Sequence, residues 1–277
     1  MRNLEFWHKN PIVGEPFVSL GDRVTIGSGS EIMGGVQIGN DSWIGSNVTM
    51  YDGARIGRSC RIFPGAVISA IPQDLKFKGE KTTVEVGDFT TIRECVTLNR
   101  GTEALGKTVI GSQVLIMAYA HVAHDCIVGN QVVLANAVTM AGHVEVGDFT
   151  IIGGVSAIHQ FVKIGRHVMI SGGSLIRKDI PPFVKAGRNP LTYEGVNSIG
   201  LRRRGFSNDT IHHIQEFYRL LYLSGMNTSQ AVAYIEAHLP ATEERDEAIT
   251  FVRNASRGII RSNNNLPKSN PPTDPPQ

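Results

Sequence analysis

From Leu20 to Ile176 a large aliphatic residue returns at every sixth position. The series runs Leu20, Ile26, Ile32, Ile38, Ile44, Met50, Ile56, Ile62 and Ile68, then Val86, Ile92 and Leu98. It continues through Ile110, Ile116, Val122, Val128, Leu134, Met140, Val146, Ile152, Ile158, Ile164 and Ile170 to Ile176, and only Asp74, Glu80 and Ala104 break the phase. A period of six fits neither an α-helix nor a heptad coiled coil. It is the signature of a hexapeptide-repeat parallel β-helix. Each hexapeptide reads as a short strand and a corner, with the aliphatic residue pointing inward. The small residue after it, as at Gly27, Gly39, Gly111 and Gly147, is expected to let the chain turn. Three legs close a triangular coil of eighteen residues, and coils stack at about 4.8 Å. Each coil buries its aliphatic face against its neighbours. A β-sandwich with regular turns is the ordinary alternative, but its strands vary in length and would lose phase over this distance.

The breaks in phase mark two loops, residues 69–83 (SAIPQDLKFKGEKTT) and 99–108 (NRGTEALGKT). The pattern re-enters in phase after each, so both are expected to leave the coil and return to the same wall. Loops on a rigid scaffold are frequent sites of binding residues, although most loops are simply solvated.

After Ile176 the pattern changes. The spacing predicts an irregular N-terminal segment over residues 1–19, the β-helix over 20–190 and a helical domain over 191–260. Residues 177–206 read as irregular. Ser207, Asn208 and Asp209 look like a cap for a helix carrying Ile211, Ile214, Phe217, Leu220 and Leu221. Thr228 is the expected cap of a second helix with Ala231, Val232, Ile235 and Leu239, and a third runs from Glu243 to about Ser256. Residues 261–277, rich in Pro and Asn, are expected to be disordered.

Composition narrows the function classes. A net charge of +2 over 277 residues gives no support for a nucleic-acid coat or a polybasic membrane anchor. Cys60, Cys95 and Cys126 have no paired spacing and suit a reducing cytoplasm. The N-terminus lacks an apolar core long enough for a signal peptide. No apolar run of about 18 residues predicts a membrane span.

The eighteen-residue coil decides which polar residues meet. His124 and His143 lie one coil plus one residue apart, and His124 and His159 two coils less one, so all three are expected at one corner. His121 lies slightly earlier. Histidine is the side chain best suited to take a proton near neutral pH. Asp125 is placed to orient His124, provided the corner lets adjacent side chains meet. Gly142 either offers a backbone N–H to a substrate carbonyl or is a corner glycine without a chemical task. Asp74 and Lys76 lie fifty and forty-eight residues before His124, nearly three coils. Within one chain the loop would have to climb roughly 13 Å at the strand spacing, whereas across a subunit boundary it could lie over a neighbour's histidine corner. The flat faces of a prism also favour packing of copies around an axis. A cyclic oligomer with sites between subunits is therefore expected.

A family resemblance sharpens this. The string HVAHDCIVGNQVVLANAVTMAGHVEVGDFTIIGGVSAIHQFVKIG, from His121 to Gly165, resembles the core of the acyl carrier protein-dependent UDP-N-acetylglucosamine O-acyltransferases. PQDLK from Pro72, NRGT from Asn99 and GVNSIGLRRRGFS from Gly195 resemble the same family, over roughly residues 20–260. The resemblance implies a mainly β protein, a left-handed parallel β-helix homotrimer with a C-terminal α-helical domain. It implies transfer of a 3-hydroxyacyl chain from acyl carrier protein to the sugar 3-hydroxyl, the first step of lipid A biosynthesis in the cytoplasm. His124 would be the general base, Asp125 its orienter and the Gly142 N–H the oxyanion donor. Gln73, Asp74, Lys76, His121, His143, His159 and Gln160 would hold the substrates. Asn197, Arg203 and Arg204 match the nucleotide-binding stretch. The run Arg202–Arg204 suits a diphosphate or an acidic carrier, where without the resemblance a solvated basic face is the simpler reading. No metal or separate cofactor is implied, since acyl-phosphopantetheine enters with its carrier. Departures from the pattern are an atypical opening of eighteen residues, Ile199 where many members carry glutamate, and Pro190 near a common histidine. Gly172, at a position tied to acyl length, leaves room for a relatively long donor.

Three rivals differ in class. An N-acyltransferase acting on an amino-sugar nucleotide would normally carry an extra N-terminal domain, for which no room precedes Leu20. A zinc enzyme like the γ-class carbonic anhydrases would use His121, His124 and His143 as ligands. A non-enzymatic structural solenoid has no need of clustered histidines.

Overall fold

The computed structural model describes residues 5–7, 12–13 and 18–262. Successive short strands join three sheets in strict rotation, and these sheets are the three faces of a parallel β-helix. Trp43–Ile44, Thr49–Met50 and Ala54–Ile56 are one such coil, on the first, second and third faces in turn. Register follows the repeat, Ile32 beside Met50 and Val122 beside Met140. From Ile26 onward the aliphatic series is buried, with Ile32, Ile62, Ile92, Ile116, Leu134 and Ile170 fully inaccessible.

A second buried stripe, not apparent from the aliphatic period, lies four residues after each of these. It holds Val36, Ser42, Val48, Ala66, Val96, Cys126, Val138, Thr150 and Val168 among others. Its polar members are satisfied between coils: Ser30 Oγ donates to Gly45 O at 2.8 Å, and Thr150 Oγ1 to Gly165 O at 2.8 Å. The buried thiols sit deep enough for burial to push Cys60 up to about 11 and Cys126 up to about 12.

The glycines after the aliphatic positions do not make the turns. The left-handed residue comes two positions later, at Asp41 (φ 62°), Asp125 (φ 57°), His143 (φ 62°) and Phe161 (φ 64°). The glycines are there because coils touch: a Cβ on Gly27 would meet Ser46 N at 2.5 Å, and one on Gly147 would meet Arg166 N at 2.5 Å. The turn itself is held by coil-to-coil bonds such as His143 N to His124 O and Phe161 N to Gly142 O, both 3.1 Å.

Both loops differ from expectation in destination. Each leaves from the second face, after Val67–Ala70 and Thr97–Asn99, and re-enters on the third, at Thr83–Val86 and Lys107–Ile110. They are enlarged corners, both on the edge between those faces. The solenoid also starts before Leu20, since Glu5–Trp7 pairs with Thr25–Gly27 and Ile12–Val13 with Glu31–Ile32.

Beyond Ile176 the segment read as irregular contains an antiparallel pair, Val184–Gly187 with Thr192–Val196, and a short helix, α1 (Ser198–Arg203). Helix α2 (Asn208–Leu223) is capped by Ser207 and buries Ile211, Ile214, Phe217 and Leu221. Helix α3 (Thr228–His238) is capped by Asn227 rather than Thr228, because Asn227 and Gln230 form a reciprocal capping box. Helix α4 (Glu243–Arg253) starts at the Thr242 cap and stops at Arg253. Arg261–Ser262 is ordered as a strand beside Thr192–Val196, which corrects the expected disorder there. Residues 263–277 of the expected disordered tail lie outside the described residues.

Candidate active site

The edge between the second and third faces carries both loops and the histidine cluster. His121 is the outward residue of the strand His121–Val122, and His124 and Asp125 form the corner that follows. One coil later the same positions hold Thr139, Gly142 and His143; two coils later, Ala157, Gln160 and Phe161. His124, Gly142 and Gln160 thus form one ladder, and Asp125, His143 and Phe161 another.

Asp125 turns toward its neighbour because its backbone is left-handed. Its side chain is inaccessible, and Oδ2 lies 2.8 Å from His124 Nδ1. Thr102 N donates to Oδ1 at 2.9 Å, Thr102 Oγ1 to Oδ2 at 2.6 Å, and Leu105 N to Oδ1 at 3.2 Å. Burial alone would raise the carboxyl's pKa, but the bonds from Thr102 and His124 outweigh it and hold the group below its ordinary value. An ionised carboxylate only accepts, so Nδ1 of His124 carries the hydrogen of this bond and, in the neutral ring, Nε2 is the acceptor. A Cβ added to Gly142 would lie 2.5 Å from His124 Cε1 and 2.6 Å from Nε2. The imidazole therefore occupies the space a side chain would fill at 142. That sets Nε2 beside the Gly142 amide, which bonds to no described residue.

His143 stacks on Phe161 at 4.5 Å, meets His124 edge-on at 5.1 Å and points Nε2 at Asp125 Oδ2 from 3.8 Å. Burial lowers its pKa, partly offset by the charges of Asp125 and Asp74. His121 Nδ1 lies 2.7 Å from Thr97 Oγ1, and burial lowers its pKa too. His159 is exposed, with Nδ1 3.1 Å from Gln160 O.

The PQDLK loop reaches this cluster within the same chain. The loops add twelve and six residues, so Asp74 starts two coils below His124 rather than three: Val67–Ala70 pairs with Thr97–Asn99, and that strand with His121–Val122. Lys76 N and Asp74 Oδ1 close a tight turn at 3.0 Å, and Gln73 and Lys76 are exposed. The NRGT stretch is a clasp that spacing did not single out. Asn99 Nδ2 donates to Ile71 O at 3.0 Å and Arg100 Nε to Ser69 O at 3.0 Å, fixing the first loop's base, while Thr102 fixes Asp125. Its only signal was the motif itself, because 102 and 125 are not a whole number of coils apart.

The remaining residues sit on other edges of the same chain. Asn197 caps α1 through Gly200 N and donates to His167 O at 2.9 Å, at the corner between the third and first faces. Each end of its amide keeps one further bonding position. Arg204 lies over the Phe149 ring at 5.2 Å on that edge, and Arg203 is exposed. Gly172 is at the corner between the first and second faces, where a Cβ would meet Gly154 O at 3.1 Å.

His124, Asp125 and His143 also present donor atoms within 4.8 Å of one another, the geometry of a metal group. The ligand set expected for zinc is different, since Asp125 and not His121 belongs to this group. Asp125 already accepts four hydrogen bonds, and the Nδ1 that faces it carries a hydrogen.

A hexapeptide solenoid with a histidine–carboxylate pair on one edge defines the class of hexapeptide acyltransferases. Two stretches, 35–70 and 107–142, match the bacterial transferase hexapeptide model, and 17–51 matches the hexapeptide repeat of succinyl-transferase. Residues 179–260 match the second domain of UDP N-acetylglucosamine O-acyltransferase. An acyl-[acyl-carrier-protein]--UDP-N-acetylglucosamine O-acyltransferase of Chlorobium phaeobacteroides is 51% identical over 252 residues, 91% of this chain and 95% of that one. Its counterpart in Chlorobaculum parvum is 62% identical over 207 residues, 74% of this chain and 78% of its own. The crystal structure of a UDP-N-acetylglucosamine acyltransferase from Bacteroides fragilis superposes with a TM-score of 0.89 at 47% identity, covering 92% of this chain and all of that one. The chain belongs to the UDP-N-acetylglucosamine O-acyltransferase family.

Proposed function

We propose that this protein transfers a 3-hydroxyacyl chain from acyl carrier protein to the 3-hydroxyl of UDP-N-acetylglucosamine. This is the first step of lipid A biosynthesis, carried out in the cytoplasm by a homotrimer with sites between subunits. The observation that carries the reading is the His124–Asp125 pair seated on Gly142. Nε2 of His124 takes the hydroxyl proton as the sugar oxygen attacks the thioester carbonyl. Asp125 stabilises the imidazolium that forms. The Gly142 N–H donates to the carbonyl oxygen as negative charge develops there. Collapse of the intermediate breaks the C–S bond, and the imidazolium returns its proton to the departing phosphopantetheine thiolate. Nothing in these steps calls for a metal or a separate cofactor. His143, Asp74, Gln73 and Lys76 line the sugar side, and His121, His159 and Gln160 the arm of the donor. Arg203 and Arg204 take the diphosphate, on a stretch started by Asn197. Gly172 leaves room for a relatively long acyl chain. No helix among the described residues is long and apolar enough to cross a membrane.

Mass spectrometry of products from UDP-N-acetylglucosamine and a panel of 3-hydroxyacyl carrier proteins tests the reading. A UDP-3-O-acyl product is expected, favouring longer donors, and a His124→Ala control should lose about 10²–10⁴-fold in rate. No product with any donor would falsify the assignment and turn attention to a 3-amino sugar and then to zinc content.

A further inference from the structure

The ladder of His124, Gly142 and Gln160 does not stop at Gln160. Leu175–Ile176 pairs in register with Ala157–Ile158, so the next residue at the same corner position is Lys178. Up this edge stand an imidazole, a backbone N–H, a carboxamide and then an ammonium group. Lys178 lies three coils from His124, about 14 Å along the axis at the strand spacing. It is exposed, as is Arg177 before it. Arg257 brings a third cation: its Nε donates to Arg177 O at 3.2 Å. Beside it, a Cβ on Gly258 would come within 3.8 Å of Lys178 Nζ.

The neighbouring cations Lys163 and Arg166 are matched by carboxylates. Lys163 pairs with Glu145 at 2.8 Å, and Arg166 with Glu247 at 2.7 Å and Glu243 at 3.3 Å. Among the described residues Arg177, Lys178 and Arg257 form no ion pair. The carboxyl within electrostatic reach of Arg257 is Asp179, which is wholly buried and whose Oδ1 accepts from Lys163 N at 2.8 Å. Three unpaired cations at one end of a catalytic edge repel one another and attract an anion from outside.

We propose that Lys178, with Arg177 and Arg257, binds the phosphodiester that joins the donor's phosphopantetheine arm to its carrier protein, and beyond it the carrier's acidic surface. The assignment rests on the proposed acyl transfer and deepens it. With the thioester at His124 and Gly142, the arm runs up the ladder past Gln160, whose amide suits the amides of the arm. The phosphate then arrives three coils away, a span comparable to the arm part-extended. An ammonium group is a point charge suited to a phosphate, and the flanking guanidinium groups widen the field for an acidic protein.

The test compares three donors carrying the same acyl chain: acyl carrier protein, acyl-phosphopantetheine and acyl-pantetheine. Wild type is expected to prefer the two phosphate-bearing donors in kcat/KM. Lys178→Glu, and separately Arg177→Glu, should cut the ratio of kcat/KM for acyl-phosphopantetheine to that for acyl-pantetheine at least tenfold. Each should also raise KM for acyl carrier protein at least tenfold, with KM for the sugar nucleotide as in wild type. Ratios equal to wild type in both variants would overturn the proposal. So would an equal loss on all three donors, which marks a general defect. Failure of the wild type itself to use acyl carrier protein would instead overturn the underlying function.

Discussion

Gly142 carries two opposed demands that a single substitution separates. Its backbone is not left-handed, so alanine suits the local conformation, and Gly→Ala at such positions favours folding by about 0.4–1 kcal/mol. Its Cβ would nevertheless lie 2.5 Å from the His124 ring, so the ring must move. Gly142→Ala is therefore expected to change Tm little, the backbone gain offset by the weakened His124–Asp125 contact, while lowering kcat by about 10²-fold, within the range for a displaced base; calorimetry beside steady-state kinetics checks both. Thr102→Val makes the complementary case. It keeps shape but deletes the 2.6 Å bond to Asp125 Oδ2, inside a carboxylate that is otherwise fully held. A stability loss of about 1–3 kcal/mol is expected, with kcat falling less than for Gly142→Ala because His124 keeps its contact with Oδ2. Denaturant midpoints and kcat decide. A kcat loss in Thr102→Val equal to that of Asp125→Ala would mean that Thr102 does more than hold Asp125.

At the scale of elements, the edge between the third and first faces is built on a column of rings. Phe149 stacks on His167 at 4.6 Å and His167 on Phe183 at 5.9 Å, with Arg204 over Phe149 and Arg166 over Phe183 at the two ends. His167 is buried, and its Nδ1 has no hydrogen-bond partner among the described residues. Burial first, then the charges of Arg166 and Arg204, push its pKa down to about 4, against a smaller upward effect of Asp148. The folded pKa lies below the unfolded value of about 6.5, so the unfolded chain binds the proton more readily. Stability from this group is complete above pH 6.5 and is lost as pH falls toward 4, by about 3 kcal/mol in all. His167→Phe, which keeps a ring in the column, should flatten the decline of Tm between pH 7 and 4.5; a decline as steep as wild type would show that other groups govern it. Phe149 and His167 stand eighteen residues apart, in reach of the coil period, but Phe183 does not follow it, because the last corner is two residues short, and nothing in the spacing marks the rings as stacked. The solenoid was legible, since one aliphatic residue per six fixes both strand and register, and so was the His124–His143 corner, since no insertion lies between them. Asp74 was placed a coil too far for the opposite reason: its distance was counted straight across both insertions. The α1 helix escaped because its six residues carry too few apolar positions to show a period, and its cap, Asn197, is read only once His167 is seen beneath it.

For the whole molecule the decisive fact is how the proposed site residues divide. His124, Asp125, His143 and the Asp74 loop share the edge between the second and third faces, whereas Asn197 and Arg204 belong to the edge between the third and first. One sugar nucleotide cannot reach both groups along a single chain if a face of the prism separates them. In the proposed oligomer a second copy would bring its arginine edge to the first copy's histidine edge, and cyclic closure would repeat the contact without leaving a free site. This makes a prediction that does not depend on measuring mass. His124→Ala should be inactive for want of the base, and the double variant Arg203→Ala with Arg204→Ala should bind the nucleotide poorly. Unfolded together in equal amounts and refolded, they should regain activity. A working site needs its histidine from one variant and its arginines from the other, so random mixing leaves about one quarter of the sites intact. Recovery toward a quarter of wild-type kcat would place the site between subunits. Activity no higher than the sum of the two variants alone, in a mixture shown to have exchanged subunits, would place base and nucleotide stretch in one chain and require the helical domain to move toward the histidine edge.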